Sequence, residues 1–125
     1  MRILADTNVF IDFWKQPTQS LIDTFSSEDV VICGVVKSEL LHGARSEKDM
    51  KRIREALDGF EELIFEESDW EALGIQLYKL RTNGLTVPFQ DAIIALLAVK
   101  YDLPVWTNDK HFLHLKNVMP DLQLY

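Results

Sequence analysis

Four acidic residues in this chain sit against apolar runs, where acids are uncommon. Asp6 breaks "ILADTNVF", Asp109 follows "LPVWTN", Asp91 opens "QDAIIALLAVKYD", and Glu39 lies one turn into "VVKSELLHGA". Brought together, they would make a demanding pocket. Two like charges about 4 Å apart repel by about 1 kcal/mol in water and by about 4 kcal/mol at an effective dielectric near 20. A cluster of this kind takes up protons or recruits cations. Ligands that are all oxygen select hard ions, so Mg²⁺ or Mn²⁺ fits and zinc does not. Carboxylates holding one or two such ions suit hydrolysis of a phosphodiester, because the metal activates water and stabilises the leaving oxygen. The chemistry these residues point to is that of a metal-dependent nuclease.

Each acid also has an ordinary structural role available. Asp6 and Asp109 could cap the helices that follow them. Asp91, in a first helical turn, is favoured by the helix dipole by roughly 0.3–1 kcal/mol. Glu39 could be a solvated helix residue. Their joint placement decides in favour of a site, and that placement depends on the elements around them.

Short strand-like runs occur at "RILA", "VVIC", "ELIF" and "LPVWT", with a weaker one at "LQLY". Between them lie segments with helical spacing of apolar residues. "PTQSLIDTFSS" has Leu21, Ile22 and Phe25 on one face, and "VVKSELLHGA" groups Val36, Leu40 and Ala44, with Gly43 helping to end it. "SEKDMKRIREALDGF" follows, then "SDWEALGIQLYKLRTNG", with Ser68 as N-cap and Gly84 as stop. "QDAIIALLAVKYD" is apolar nearly all round and reads as a buried central helix, with Asp91, Ala95 and Ala98 on one narrow seam. Strands alternating with helices indicate an α/β sandwich around a mainly parallel central sheet flanked by helices. Right-handed crossovers bring the strand-to-helix loops to the carboxyl edge of that sheet, where open α/β folds place ligands. Asp6 and Asp109 belong on that edge.

At 125 residues, with no linker, repeat or low-complexity tract, the chain reads as one domain over residues 1–125. The net charge of −7 argues against a conventional electropositive nucleic-acid surface, yet leaves nucleic acid open as a substrate approached through bound cations. The start, Met1-Arg2-Ile3, lacks the apolar core of a signal peptide. The longest apolar run, Ala92 to Val99, is too short to span a bilayer. Cys33, in "VVICGVV", is the only cysteine and reads as a small buried hydrophobe. A cytoplasmic location is the expectation.

The segments "ILADTNVFID", "SELLHGA" and "FQDAIIALLAVKYDLPVWTNDKHF" resemble a PIN domain of the VapC-type toxin family, over essentially the whole chain. The acids occur in the family's order of Asp, Glu, Asp, Asp. The resemblance implies a PIN-like sandwich and a Mg²⁺/Mn²⁺ site built by Asp6, Glu39, Asp91 and Asp109. Thr107 matches a supporting hydroxyl, and Asn8 a polar position beside the first acid. It further implies a ribonuclease that cuts RNA, often structured RNA such as tRNA, to leave 5′-phosphate and 3′-hydroxyl ends. Homodimerisation, and neutralisation by a small antitoxin whose C-terminal arm lies across the toxin groove, complete the expectation. Lys110 and His111 fill the two places after Asp109, so no fifth acidic ligand is expected.

Other features take ordinary readings. His111 and His114 share a helical face but have no cysteine or third histidine suitably placed for a transition metal, and are read as surface or packing residues; His42 has no assigned role. Lys48, Lys51, Arg52 and Glu55 form a mostly basic stripe, read as a solvated face with RNA-phosphate contact as its functional alternative. The acids from Glu61 to Glu71 are read as solvated. Trp14, Trp70 and Trp106 are assigned to the core or a dimer interface rather than to base stacking. A phosphatase with a nucleophilic Asp after its first strand would want a second Asp two residues on, where Asn8 stands. A receiver domain would want an acidic pair that "ILADTN" does not supply. The remaining rival is a PIN-like interaction or RNA-binding module without turnover.

Overall fold

In a computed structural model covering residues 1–125, four short strands form one sheet, all parallel, in the order β3-β2-β1-β4. They are β1 (Arg2–Ala5), β2 (Asp29–Cys33), β3 (Glu61–Leu63) and β4 (Val105–Trp106). Seven helices connect and flank them: α1 (Thr7–Lys15), α2 (Gln19–Ser27), α3 (Gly34–His42), α4 (Glu47–Leu57), α5 (Asp69–Thr82), α6 (Phe89–Lys100) and α7 (His111–Val118). Strand β1 is central because its residues suit burial on both faces: Ile3, Leu4 and Ala5 have no exposed surface. Its register pairs Leu4 with both Val31 and Val105, and Ala5 with Trp106. Because every strand runs the same way, Ala5, Cys33, Leu63 and Trp106 all end at one edge of the sheet.

The helix predicted to be central is α6. Ala92, Ile94, Ala95, Leu97 and Ala98 are buried along it, with Asp91 on the same seam as Ala95 and Ala98. An aromatic cluster joins α1 and α2 to β4 and to the residue before β3. Phe10 meets Phe25 and Phe60 at ring separations of 5.5 and 5.2 Å, and Phe25 meets Trp106 at 4.9 Å.

Local signals behave as their chemistry requires, with three exceptions. Thr18 and Ser46 cap α2 and α4 through bonds from Leu21 N and Asp49 N. Gly43 ends α3, and Gly84 turns the chain after α5 at φ +79°, a left-handed position natural to glycine. Ser68 occupies the N-cap position of α5 but makes no side-chain cap bond. Asp69 takes over that junction. Its Oδ2 accepts from Glu66 N at 2.8 Å and from Lys100 Nζ at 2.9 Å, tying α5 to α6. Lys100, followed by the Glu66 amide, holds the Asp69 carboxyl below the usual carboxylate range. The "LQLY" strand shrinks to a single bridge between Leu124 and Val105. The tryptophans divide: Trp106 is core, whereas Trp14 and Trp70 are 42% and 58% exposed and lean on Phe10 and Phe65. No helix is long and apolar enough to cross a membrane.

Candidate metal centre

All four acids singled out in the sequence line one cavity of about 390 Å³ at the carboxyl edge of the sheet. Asp6 arrives there because β1 ends at Ala5 and α1 begins at Thr7. It serves as N-cap of α1, its Oδ1 accepting from Thr7 N at 2.8 Å, while its other oxygen accepts from Thr107 Oγ1 at 2.8 Å. Capping and site placement therefore coexist in one residue. The Thr107 hydroxyl also accepts from Asp109 N at 2.9 Å, so one side chain fixes the first acid and the backbone of the last. Asp109 Oδ1 in turn accepts from His111 N at 2.9 Å as the chain enters α7.

Glu39 lies on α3 and is exposed, but its direction is set. Thr7 Oγ1 donates to its Oε1 at 2.8 Å and leaves Oε2 free. Asp91 differs from the others in having no hydrogen-bond partner, although only 9% of its surface is exposed. Small residues along its helix permit the close packing that buries it. Asn8 is exposed and lines the cavity without bonding to any of the acids.

The electrostatics follow from this arrangement. Burial pushes the Asp6 carboxyl up, and the charges of Asp109 and Glu39 add to that, while the bonds from Thr107 and Thr7 pull the other way. Burial, followed by the charges of Asp6 and Asp109, pushes Asp91 up to about 6. Both groups would be stabilised as carboxylates by a cation in the cavity. Asp6, Asp91, Asp109 and Glu39 offer hard oxygen donors, a set that fits Mg²⁺ or Mn²⁺.

Two residues given no part in the site by the sequence contribute here. Thr7, buried and adjacent to Asp6, orients Glu39. His111, read from the sequence as surface or packing, lines the cavity with Nδ1 at 3.4 Å from Asp109 Oδ1 and 3.7 Å from Asp91 Oδ2. The available signal was its place two residues after Asp109, at the entry to a helix. His42 also lines the cavity, whereas His114 does not.

With the geometry established, the relatives of this chain become informative. A family model described as PIN domain matches residues 3–118. Ribonuclease VapC4 of Mycobacterium tuberculosis is 30% identical over 98% of this chain and 95% of its own length. The chain belongs to the PIN-domain family, among its VapC-type members. The fold is shared with a chain of DNA-bound VapBC from Salmonella typhimurium, at a TM-score of 0.84 and 22% identity, covering 100% of this chain and 97% of that one. A chain of VapBC2 from Rickettsia felis, bound to a fragment of its promoter DNA, matches at 0.83 and 20% identity, covering 100% and 98%.

Proposed function

We propose that this chain is a divalent-metal-dependent endoribonuclease and the toxin of a type II toxin–antitoxin pair, acting in the cytoplasm as a single domain over residues 1–125. The observation that carries this reading is the convergence of Asp6, Glu39, Asp91 and Asp109 on one cavity in a VapC-type PIN chain. Mg²⁺ or Mn²⁺, when bound, supplies Lewis-acid polarisation of the scissile phosphate and a water acidic enough to attack it. Asp6, Asp91 and Asp109, with Glu39 beside them, would hold the ion. Thr107 keeps the Asp6 carboxylate aimed into the cavity, and Glu39, anchored through Oε1, presents Oε2 to take the proton from the attacking water. Hydrolysis leaves a 5′-phosphate and a 3′-hydroxyl.

A second groove, of about 550 Å³, runs between α1, α3 and α4 and shares Ile11 and Glu39 with the acid cavity. Trp14, Leu40 and Ile53 give it an apolar floor, and Arg45 and Arg52 a cationic border. An antitoxin arm lying there reaches the acids directly. Exposed Ile75, Tyr78 and Phe89 on α5 and α6 support a homodimer.

The decisive experiment incubates purified protein with labelled RNA, tRNA included, in Mn²⁺ or Mg²⁺, with EDTA and Asp6→Asn controls and DNA alongside. RNA cleavage with 5′-phosphate ends that disappears in both controls is expected. Equal cleavage by wild type and Asp6→Asn would leave an inactive PIN-like module as the better reading.

A further inference from the structure

Asp91 is buried, lines the cavity and accepts no hydrogen bond, so the group facing it matters. That group is the imidazole of His111. Its Nδ1 lies 3.7 Å from Asp91 Oδ2 and 3.4 Å from Asp109 Oδ1, both longer than the 2.7–3.2 Å typical of an N–H···O bond. Donor atoms at adjacent positions around a six-coordinate ion with bonds near 2.1 Å stand about 3 Å apart, and opposite ones about 4.2 Å. One oxygen from Asp91, one from Asp109 and a nitrogen of His111 all fall within 4.8 Å of one another. The backbone that carries the ring is tied to the same acid, because His111 N donates to Asp109 Oδ1.

We propose that His111 is a nitrogen ligand to a divalent cation shared with Asp91 and Asp109, and that it biases the centre towards Mn²⁺ over Mg²⁺. The assignment deepens the metal-nuclease reading and rests on it. Imidazole is a softer donor than carboxylate. It strengthens binding of first-row transition ions, whereas Mg²⁺ keeps to oxygen and water. The His111 side chain is 62% exposed, so the ring can adjust to an ion, and water can fill the remaining coordination positions.

The test uses the full chain and Mn²⁺ alone, without RNA. Wild type, His111→Ala, His111→Gln and His42→Ala are titrated with Mn²⁺ by EPR, and pulsed EPR of the bound ion reads nitrogen-14 coupling. Mg²⁺ affinity is measured by competition, and thermal melts establish that each variant folds. Wild type should show nitrogen coupling. His111→Ala should lose it and bind Mn²⁺ about tenfold more weakly, with Mg²⁺ affinity changed less than about twofold. Bound Mn²⁺ without nitrogen coupling, or coupling that survives in His111→Ala and vanishes in His42→Ala, overturns the assignment and leaves the carboxylate site standing. No saturable Mn²⁺ binding by wild type overturns the metal reading as well.

Discussion

Replacing Asp91 with asparagine should make the metal-free protein more stable while removing its response to metal. In the folded chain the Asp91 carboxyl is pushed up from 3.8 to about 6, first by burial and then by Asp6 and Asp109. The folded state therefore holds this proton more tightly than the unfolded one. Its contribution is fully favourable below pH 3.8 and is lost as pH rises through 6. At pH 7.5 the resulting cost is about 3 kcal/mol, at about 1.36 kcal/mol per tenfold change in acidity. The dipole of α6 offsets roughly 0.3–1 kcal/mol of that, leaving at least about 2 kcal/mol. Asparagine cannot ionise, and Asp91 accepts no hydrogen bond, so the substitution strands no donor. Calorimetry in EDTA should place Asp91→Asn about 8 °C above wild type at pH 7.5, with the gap reduced by about half at pH 5. Saturating Mn²⁺ should then reverse the order: an ion at about 1,000 times its Kd adds about 4.1 kcal/mol to wild type alone. An Asp91→Asn melting point equal to or below wild type at pH 7.5, or a gap indifferent to pH, would refute the reasoning.

Three further outcomes are expected. Thr107→Val removes the donor to Asp6 and the acceptor for Asp109 N, about 1–2 kcal/mol of positioning; RNA cleavage should fall about tenfold and recover in Thr107→Ser, and an undiminished rate in the valine variant would contradict this role. Lys51→Ala with Arg52→Ala, in an Asp6→Asn background that prevents turnover, should weaken RNA binding and lower the slope of log K against log salt by about 1.5; binding unchanged across a salt series would count against phosphate contact by this stripe, where Arg52 pairs with Asp49 alone. Cys33 is fully buried, and burial pushes its thiol up to about 11, so a disulfide reagent at pH 8 should label it only after unfolding; rapid labelling of native protein would show the β2 end to be open.

Much of this was legible in the sequence because parallel α/β folds write themselves locally. An apolar run that stops at an acid before a helix identifies both strand end and sheet edge, and Asp6 and Asp109 could be placed on that rule alone. Asp91 was legible through its small-residue seam, and Glu39 through its position on the border of an apolar helix face. What a linear reading lacks is distance between side chains far apart in the chain. Nothing in "ILADT" announces that Thr7 turns to Glu39, and only the resemblance placed Thr107 beside the site, because those contacts depend on how α1 and α3 pack and on β4 pairing with β1. His111 was set aside because its pairing with His114 lacked further transition-metal ligands; only the fold brings it opposite Asp91. Ser68 stands at the N-cap of α5 as read, but the bonds at that junction are made one step later by Asp69, to the Glu66 amide and to Lys100.

The pairing of β1 with β4 has a temporal consequence. Thr107 and the Asp6 it steadies stand 101 positions apart, neighbours in space but made far apart in the order of synthesis. A ribosome part-way through this chain has made the strand that delivers Asp6 and not the one that leads to Asp109. A product that stops before β4 carries Asp6 without Asp109 or the hydroxyl that orients it, and so cannot assemble this cavity.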